Sequence, residues 1–272
     1  GTEVRRALAF DSARHLSVFG RYPAFTARPD RWVSWKFDAV RHGMQMLQKH
    51  RPEIIWSTYP IATAHLIGAK LHRQSGIPWV ADFRDPMAQD GYPADPVTWK
   101  QFEAIERHAV HTAAFSIFTT PGAAQVYRTR YPQAADRIVV LENGYDEESF
   151  VAAEREEQHR HPLNPGAITL LHSGIVYPSE RDPISLFKAL RHLKDQDGLG
   201  ESELKVRFRA SANDSLLHRL SAEHGVRNFI ETCPPLGYRE ALAEMLQADA
   251  LLVLQASNCN EQIPAKMYEY LR

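Results

Sequence analysis

Residues 250–272, ALLVLQASNCNEQIPAKMYEYLR, carry the sequence pattern that decides the fold. The apolar run Ala250–Leu254 predicts a buried strand of a parallel sheet, and the polar residues 255–261 predict a loop after it. Pro264 then stands where the first turn of a helix is expected. A strand, a loop and a helix in this order are typical of an open α/β sheet, in which ligands bind at the carboxyl ends of the strands.

The start of the predicted helix carries side chains suited to a ligand with phosphate and hydroxyl groups. Lys266 falls in the first turn and Glu269 about one turn later on the same face, while Glu261 lies in the preceding loop. The free N–H groups and the positive end of a helix attract phosphate, and carboxylates accept hydrogen bonds from hydroxyls. A nucleotide sugar combines both kinds of group, so the pattern favours such a ligand.

Three motifs resemble those of one glycosyltransferase family. Glu261 and Glu269 are separated by seven residues, and residues 263–271, IPAKMYEYL, resemble a Pro-x-Lys-x-x-Glu-Tyr-Leu motif. The other two motifs are VADFRDP at residues 80–86 and VLENGYD at residues 140–146. Their combination is similar to family 4 of the retaining GT-B glycosyltransferases (glycosyl transferase group 1), and the resemblance extends over essentially the whole chain.

The resemblance implies an α/β protein with the GT-B fold, in which two Rossmann-like domains with parallel sheets face each other across a cleft. Residues 1–146 would be an incomplete N-terminal, acceptor-side domain, residues 147–166 a connector, and residues 167–272 an incomplete C-terminal, nucleotide-sugar-binding domain. We expect both ends of the chain to be truncated. Members of the family have a first strand and a glycine-rich loop before this point, and further strands and helices after it.

The order of strand-like and helix-like segments supports two parallel sheets, because the two kinds alternate over residues 53–141 and again over residues 167–254. Between them, residues 146–166 are rich in glutamate and proline and predict a solvated connector. His159 and His161 in this connector could form a metal-binding pair or belong to an exposed linker. The sequence has no Gly-x-Gly-x-x-Gly motif and no Gly-Lys-Ser/Thr loop, which argues against nicotinamide dehydrogenases and P-loop NTPases.

The resemblance assigns roles to the charged residues of the terminal helix and its loop. Glu269 would hold the ribose hydroxyls of the donor, and Lys266 would face its pyrophosphate. Glu261 would act in catalysis by holding the hydroxyls of the transferred sugar. The structural alternative for Glu269 is a surface carboxylate that pairs with Lys266, and the alternative for Glu261 is a chance match.

The resemblance also assigns donor binding to the segment after the first strand of the second domain. Arg181 would be a second basic residue for the pyrophosphate, or it would only pair with Glu180 or Asp182. Ser173 and Gly174 would allow a close approach of the backbone to phosphate, because glycine has no side chain to obstruct it. The alternative for this pair is a simple tight turn.

A further group of candidate residues follows the strand predicted at residues 77–81. Asp82 and Asp85 flank Arg84, which stands roughly where many members of the family carry a histidine. Because arginine cannot act as a base, the two carboxylates are the candidate catalytic contacts to sugar or acceptor. The alternative is an Asp–Arg–Asp cluster that only orders the loop.

The composition is that of an ordinary globular protein, with 44% hydrophobic and 24% charged residues, a formal net charge of −1 and two cysteines. These values do not point to nucleic acid as a partner, and a reduced, cytoplasmic setting is expected. Up to Arg51 the chain has ten basic and four acidic residues, which could form a patch facing a membrane or an acceptor, or a solvated surface. A peripheral position at a membrane is therefore one expectation.

The activity implied by the resemblance is the transfer of a sugar from a nucleotide-diphosphate sugar to an acceptor with retention of configuration. No metal and no cofactor are expected, because enzymes of this type neutralise the leaving group with basic side chains and helix dipoles. The acceptor would be a glycan, a lipid-linked molecule or a small molecule, in one alternative associated with a membrane. Two other functions stay open, a non-hydrolysing sugar-nucleotide epimerase and a non-catalytic nucleotide-binding scaffold domain.

Overall fold

The computed structural model, which describes residues 2–156 and 161–272, contains two compact units. Unit 1 comprises Gly1–Glu142 and Glu261–Ile263, and unit 2 comprises Asn143–Asn260 and Pro264–Arg272. Each unit contains a four-stranded sheet in which all neighbouring strands are parallel. The predicted α/β class with two Rossmann-like domains is confirmed.

Unit 1 is built on a sheet with the strand order β1-β2-β3-β4. Its strands are β1 at Ile55–Thr58, β2 at Trp79–Arg84, β3 at Phe115–Phe118 and β4 at Ile138–Val140. Its helices are α1 at Ser12–His15, α2 at Trp35–His50, α3 at Ala62–Ser75, α4 at Pro96–Thr112 and α5 at Pro121–Arg130. Short 3-10 helices at Ala24–Ala27 and Pro132–Arg137 complete the unit.

Local sequence explains where the helices after the strands of unit 1 begin. The Asp95 carboxylate accepts a hydrogen bond from the Thr98 N–H at 3.0 Å, and the Thr120 hydroxyl accepts one from the Ala123 N–H at 3.1 Å. Both helices have proline in the next position, where its missing N–H costs nothing. These caps fix the starts of α4 and α5, and therefore the loops at the carboxyl edge of the sheet.

The loop after β2 is held by a buried carboxylate of α4. Glu106 is fully buried and accepts hydrogen bonds from Arg130 at 2.6 Å, from the Tyr131 hydroxyl at 2.7 Å and from the Tyr127 hydroxyl. It also accepts the Ala88 N–H at 3.1 Å. Because a buried carboxylate needs such partners, this network fixes the loop after β2 at Ala88.

Unit 2 is built on a sheet with the strand order β7-β6-β5-β8. Its strands are β5 at Ile168–Ser173, β6 at Leu204–Arg209, β7 at Ile230–Cys233 and β8 at Ala250–Leu251. Its helices are α6 at Glu147–Glu156, α7 at Ile184–Gln196, α8 at Asp214–Glu223, α9 at Tyr238–Gln247 and α10 at Ala265–Leu271. Short 3-10 helices lie at Arg227–Phe229 and Ser257–Cys259.

Two parts of unit 2 differ from the sequence prediction. Strand β8 contains only Ala250–Leu251, and the last hydrogen bond in line with it runs from the Leu252 N–H to the Leu171 carbonyl at 2.8 Å. The predicted strand to Leu254 was therefore too long. In the predicted connector, residues 147–156 form α6, and Phe150 is buried beside Leu171. This part is a packed helix rather than a solvated segment, because its apolar face has a core to cover.

The suggested histidine pair of the connector is only half described, since His159 lies outside the described residues and His161 is exposed. Within the ranges 2–156 and 161–272, no helix has the length and the apolar character that crossing a membrane requires.

Candidate functional site

A polar cluster of unit 2 lies at the carboxyl end of β5, where the first turn of α10 meets the strand. The Lys266 ammonium donates a hydrogen bond to the Ser173 carbonyl. The Ser173 N–H in turn donates to the Tyr270 hydroxyl at 2.9 Å. These two contacts attach α10 to the end of β5, so they bring together residues that are 93 and 97 positions apart in sequence.

Gly174 allows this close approach. Its φ of +126° is a conformation that residues with a side chain rarely adopt, and its N–H donates to the Arg209 carbonyl at 2.8 Å. A Cβ atom at this position would overlap the Lys266 ammonium. The glycine is therefore required here for backbone conformation and for space, and its close approach to a phosphate stays a prediction.

Two cations share this end of the strand. Burial, and to a smaller extent the positive charge of Arg181, lowers the pKa of Lys266 to about 8, while the charge of Glu269 acts in the opposite direction. The Arg181 guanidinium donates to the Ile175 carbonyl at 2.8 Å and lies 5.1 Å from the ring centroid of Tyr177. Among the described residues, neither cation has a carboxylate within ion-pair distance. The suggested pairing of Arg181 with Glu180 or Asp182 is not formed.

Glu269 is held by a tyrosine that the sequence reasoning missed. One carboxylate oxygen of Glu269 accepts a hydrogen bond from the Tyr238 hydroxyl at 2.9 Å. Tyr238 is the first residue of α9 and is 50% exposed. Burial, and then the contact with Glu269, raises the pKa of Tyr238 to about 12. Its position just after a strand of the sheet was the available signal, because residues that follow parallel strands meet at one edge.

A buried histidine on β5 supports the same edge. His172 is fully buried, and its Nδ1 forms a hydrogen bond with the Leu252 carbonyl at 2.9 Å. Burial, together with the nearby charges of Lys266 and Arg181, lowers the pKa of His172 to about 4. The imidazole is therefore neutral at physiological pH, and it ties the end of β5 to the segment after β8.

Glu261 lies outside this cluster and belongs to unit 1. Its carbonyl accepts a hydrogen bond from the Thr120 hydroxyl at 2.5 Å. Its carboxylate lies against Gly122, where an added Cβ atom would overlap it. Gly122 is in the first turn of α5, so a negative charge stands at the positive end of that helix. The catalytic role of Glu261 stays a prediction.

Of the two candidate carboxylates of unit 1, Asp82 lies within β2, because the strand runs three residues beyond its predicted end, and Asp85 follows the strand directly. Both are half-buried. The Asp82 carbonyl accepts the Tyr59 N–H at 2.9 Å. Burial raises the pKa of the Tyr59 hydroxyl well above its ordinary value, with Tyr92 and the charge of Asp85 as further causes. The Asp85 carboxylate therefore lies near a buried tyrosine hydroxyl, and the sheet edge of unit 1 carries a second polar cluster.

Arg84, between the two aspartates, has an unusual backbone conformation. It is exposed, with a φ of +58°, and its carbonyl accepts both the N–H and the hydroxyl of Thr119, at 3.0 and 2.9 Å. A non-glycine residue in this region stores strain of about 1 kcal/mol or more. The two hydrogen bonds that Thr119 donates hold the end of β2 in this shape. Within the described parts of the chain, no three His, Cys, Asp or Glu side chains come together so that they could hold a metal ion.

The sequence model of a glycosyl transferase 4-like domain matches residues 3–144. No curated protein matches the chain in sequence.

Three solved structures illustrate the similarity in fold. HepE from Anabaena in complex with UDP is 15% identical, with 78% of this chain and 55% of that chain covered and a TM-score of 0.54. Sucrose-phosphate synthase from Thermosynechococcus elongatus is 12% identical, with 87% and 59% covered and a TM-score of 0.61. A UDP-forming trehalose-phosphate synthase from Burkholderia xenovorans in complex with glucose-6-phosphate is 10% identical, with 92% and 61% covered and a TM-score of 0.67. At such identities the similarity concerns the fold, and the chain spans between 55% and 61% of the length of these structures.

Proposed function

The chain belongs to the glycosyl transferase 4-like domain family, and on this basis we propose that it transfers a sugar from a nucleotide-diphosphate sugar to an acceptor with retention of configuration. The donor is proposed to bind to the cluster at the carboxyl end of β5 in unit 2. Asp82, Asp85 and Glu261 of unit 1 are proposed to contact the transferred sugar or the acceptor. Basic side chains, rather than a metal ion, are proposed to neutralise the leaving group.

The observation that carries the proposal is the pair of cations at the end of β5. Lys266 is largely buried beside Arg181, and among the described residues neither has a carboxylate partner at ion-pair distance. Holding two positive charges together in a partly desolvated place costs free energy. A diphosphate would offset this cost, because its negative charge matches the two cations. The cations also lie at the carboxyl ends of the strands, where open α/β sheets bind ligands.

The contact between Glu269 and Tyr238 supports the assignment of the rest of the donor. With one carboxylate oxygen held by the tyrosine hydroxyl at 2.9 Å, the second oxygen of Glu269 has capacity to accept hydrogen bonds. Adjacent ribose hydroxyls are donors of suitable type. The tyrosine fixes the orientation of the carboxylate before the ligand arrives, which reduces the entropy lost on binding.

The proposed chemistry needs no nucleophile from the protein. As the bond between the anomeric carbon and the diphosphate oxygen breaks, negative charge grows on the leaving phosphate, where Lys266 and Arg181 stabilise it. The acceptor hydroxyl attacks the anomeric carbon from the face that the diphosphate leaves, and it forms the new glycosidic bond. Its proton passes to the leaving phosphate. The products are the glycosylated acceptor and a nucleoside diphosphate.

The test is a panel of nucleotide sugars in thermal unfolding experiments with the protein and with the variants Lys266→Met and Lys188→Met. A matching donor should raise the melting temperature of the protein by roughly 5 °C at saturating concentration, because it binds only the folded state. Lys266→Met should abolish the shift. Lys188, exposed on α7, is the matched control and should leave it intact.

Turnover distinguishes the reaction from other uses of the same ligand. Consumption of the donor should depend on an added acceptor, whereas an epimerase would need none, and a scaffold domain would bind without turnover. The proposal is wrong if no nucleotide sugar shifts the melting temperature, or if Lys266→Met retains the shift.

A further inference from the structure

A groove in unit 1 lies outside the residues assigned to donor and acceptor. It has a volume of about 450 Å³, and its walls are formed by α2, α3 and α4. Its apolar wall contains Phe37 and Val40 of α2 and Leu66 and Ala69 of α3. A cavity of this volume accommodates a small molecule or the headgroup region of a larger one.

Positive charge surrounds this groove without compensation. Lys36, Lys70, Arg73 and His108 line it together with the apolar side chains, and none of the described lining residues is acidic. In the described parts of the chain, Lys36, Lys70 and Arg73 have no carboxylate at ion-pair distance. The field of three unpaired cations attracts an anion.

The basic side chains on other faces of the same helix behave differently. Arg41 pairs with Asp38 at 2.7 Å, and Lys49 pairs with Glu3 at 2.7 Å. Lys36, in contrast, lies 5.1 Å from the ring centroid of Phe37. Acidic partners are therefore present along α2, and the groove is a part of its surface where they do not reach.

The apolar wall distinguishes the ligand from a simple anion. Phe37 is 73% exposed although it stands beside Val40 and Leu66, so a substantial apolar surface remains in contact with water. Inorganic phosphate would satisfy the cations and leave this surface uncovered. A ligand with an anionic group next to an apolar body would satisfy both.

We propose that this groove binds the phosphate group and the adjoining acyl region of an anionic phospholipid at a membrane surface. The excess of ten basic over four acidic residues up to Arg51 adds a favourable long-range term, because anionic lipid headgroups attract basic segments within about a Debye length. Phe37 supplies the apolar contact that such interfacial binding uses. The proposal concerns attachment of the protein to a surface and does not depend on the proposed reaction.

Co-sedimentation with lipid vesicles tests it. The protein should sediment with phosphatidylcholine vesicles that contain about one third phosphatidylglycerol, and should not sediment with phosphatidylcholine alone. Lys70→Glu combined with Arg73→Glu should weaken binding roughly tenfold or more. Its control is Lys100→Glu combined with Lys188→Glu, which changes the net charge equally at exposed lysines outside the groove and should have little effect.

The apolar contact has its own matched pair of variants. Phe37→Ser should weaken vesicle binding roughly threefold to tenfold, whereas Phe25→Ser should not, because Phe25 is 75% exposed but lies outside the groove. Circular dichroism of each variant shows whether it is folded, and the serine variants test the groove even if the double charge reversal unfolds.

Three outcomes would overturn the proposal. Equal weakening by the groove and control charge reversals would mean non-specific attraction by net charge. Release from the vesicles by millimolar inorganic phosphate at constant ionic strength would mean a site for the free anion. Dimerisation that is lost in the Lys70→Glu, Arg73→Glu variant would make the groove an interface between two copies of this chain.

Discussion

Unit 2 contains two pairs of basic side chains near the same edge of one sheet, and they differ in whether carboxylates neutralise them. Arg207 and Arg209 on β6 both bond to Glu244, and the guanidinium of Arg209 does so through two hydrogen bonds of 2.7 and 2.5 Å. Lys266 and Arg181 at the end of β5 have no such partner among the described residues. The positive charges of the first pair are neutralised within the protein. Those of the second pair remain available to an anionic ligand.

The pKa values of Arg209 in the first pair and Lys266 in the second shift in opposite directions. The hydrogen bonds that Arg209 donates to the Glu244 carboxylate raise the pKa of Arg209, so the fold stabilises that charge. Burial and the nearby charge of Arg181 lower the pKa of Lys266 to about 8, so the fold keeps that charge at a cost. Cations that are paired with a carboxylate of the protein stabilise the folded state. Cations that lie close together without such a partner destabilise it, and this is typical of a site that binds an anion.

The largest effect is expected where the compensated pair is broken. Glu244→Ala leaves Arg209 buried without a counter-charge and should lower the free energy of unfolding by about 3–5 kcal/mol. Urea denaturation measures this change. Glu223→Ala is the control, because Glu223 forms an exposed pair with Arg219 at 3.0 Å, and its loss should cost less than about 1 kcal/mol. Similar losses in the two variants would remove the distinction between the pairs.

Removing the uncompensated cation should have the opposite sign. Without ligand at pH 7, Lys266→Met should raise the free energy of unfolding by about 1 kcal/mol, since the cost of a desolvated charge disappears while the hydrogen bond to the Ser173 carbonyl is lost. The cost is fully present below pH 8, where Lys266 is charged in the folded and the unfolded state. It fades between about pH 8 and the ordinary pKa of 10.5, where only the unfolded state keeps the proton.

Thermal and urea unfolding of the protein and of Lys266→Met across this pH range measure the difference. The gain of the variant should be greatest below pH 8 and should shrink as the pH rises towards 10.5. A variant that is less stable at pH 7, with a difference that does not depend on pH, would mean that Lys266 is a structural residue like Arg209.

The smallest change in free energy is expected at the contact between Tyr238 and Glu269 in the proposed donor site. Tyr238→Phe removes the hydroxyl that holds Glu269 and should weaken the binding of the nucleoside diphosphate of the donor identified in the nucleotide-sugar panel about fivefold, the value of one ordinary hydrogen bond. It should also reduce the preference for this nucleotide over its 2′-deoxy form, because a loosely held carboxylate distinguishes the ribose less well. Isothermal titration with both nucleotides measures the two values.

Tyr145→Phe provides the control for this variant, since Tyr145 is 48% exposed and its ring packs against Phe150 instead. An unchanged ratio of the two affinities in Tyr238→Phe, with normal binding of the nucleoside diphosphate, would show that Tyr238 has no role in positioning Glu269.

The sequence by itself was sufficient for the strands of the two sheets and the helices between them, but not for α6, which it predicted as part of a solvated connector. Periodic apolar residues and caps such as Asp95 and Thr120 act within a few positions of the chain, so alternating strands and helices, and hence two parallel sheets, followed from local pattern. The position of Lys266 one turn before Glu269 followed from the helical repeat in the same way. The length of β8 did not, because a strand ends where its neighbour stops pairing with it, and this depends on β5.

The partners of the charged residues were decided only by the tertiary structure. Lys266 meets the Ser173 carbonyl, and Tyr238 meets Glu269 across 31 positions, because parallel strands bring their carboxyl ends to one edge whatever lies between them in sequence. The basic side chains of Arg207 and Arg209 on β6, in contrast, pair with Glu244 and stabilise the fold. The sequence does not determine which partner a charged side chain has, because that depends on tertiary packing. A charged residue that packing pairs with an opposite charge stabilises the fold, whereas one left without a counter-charge is a candidate for ligand binding.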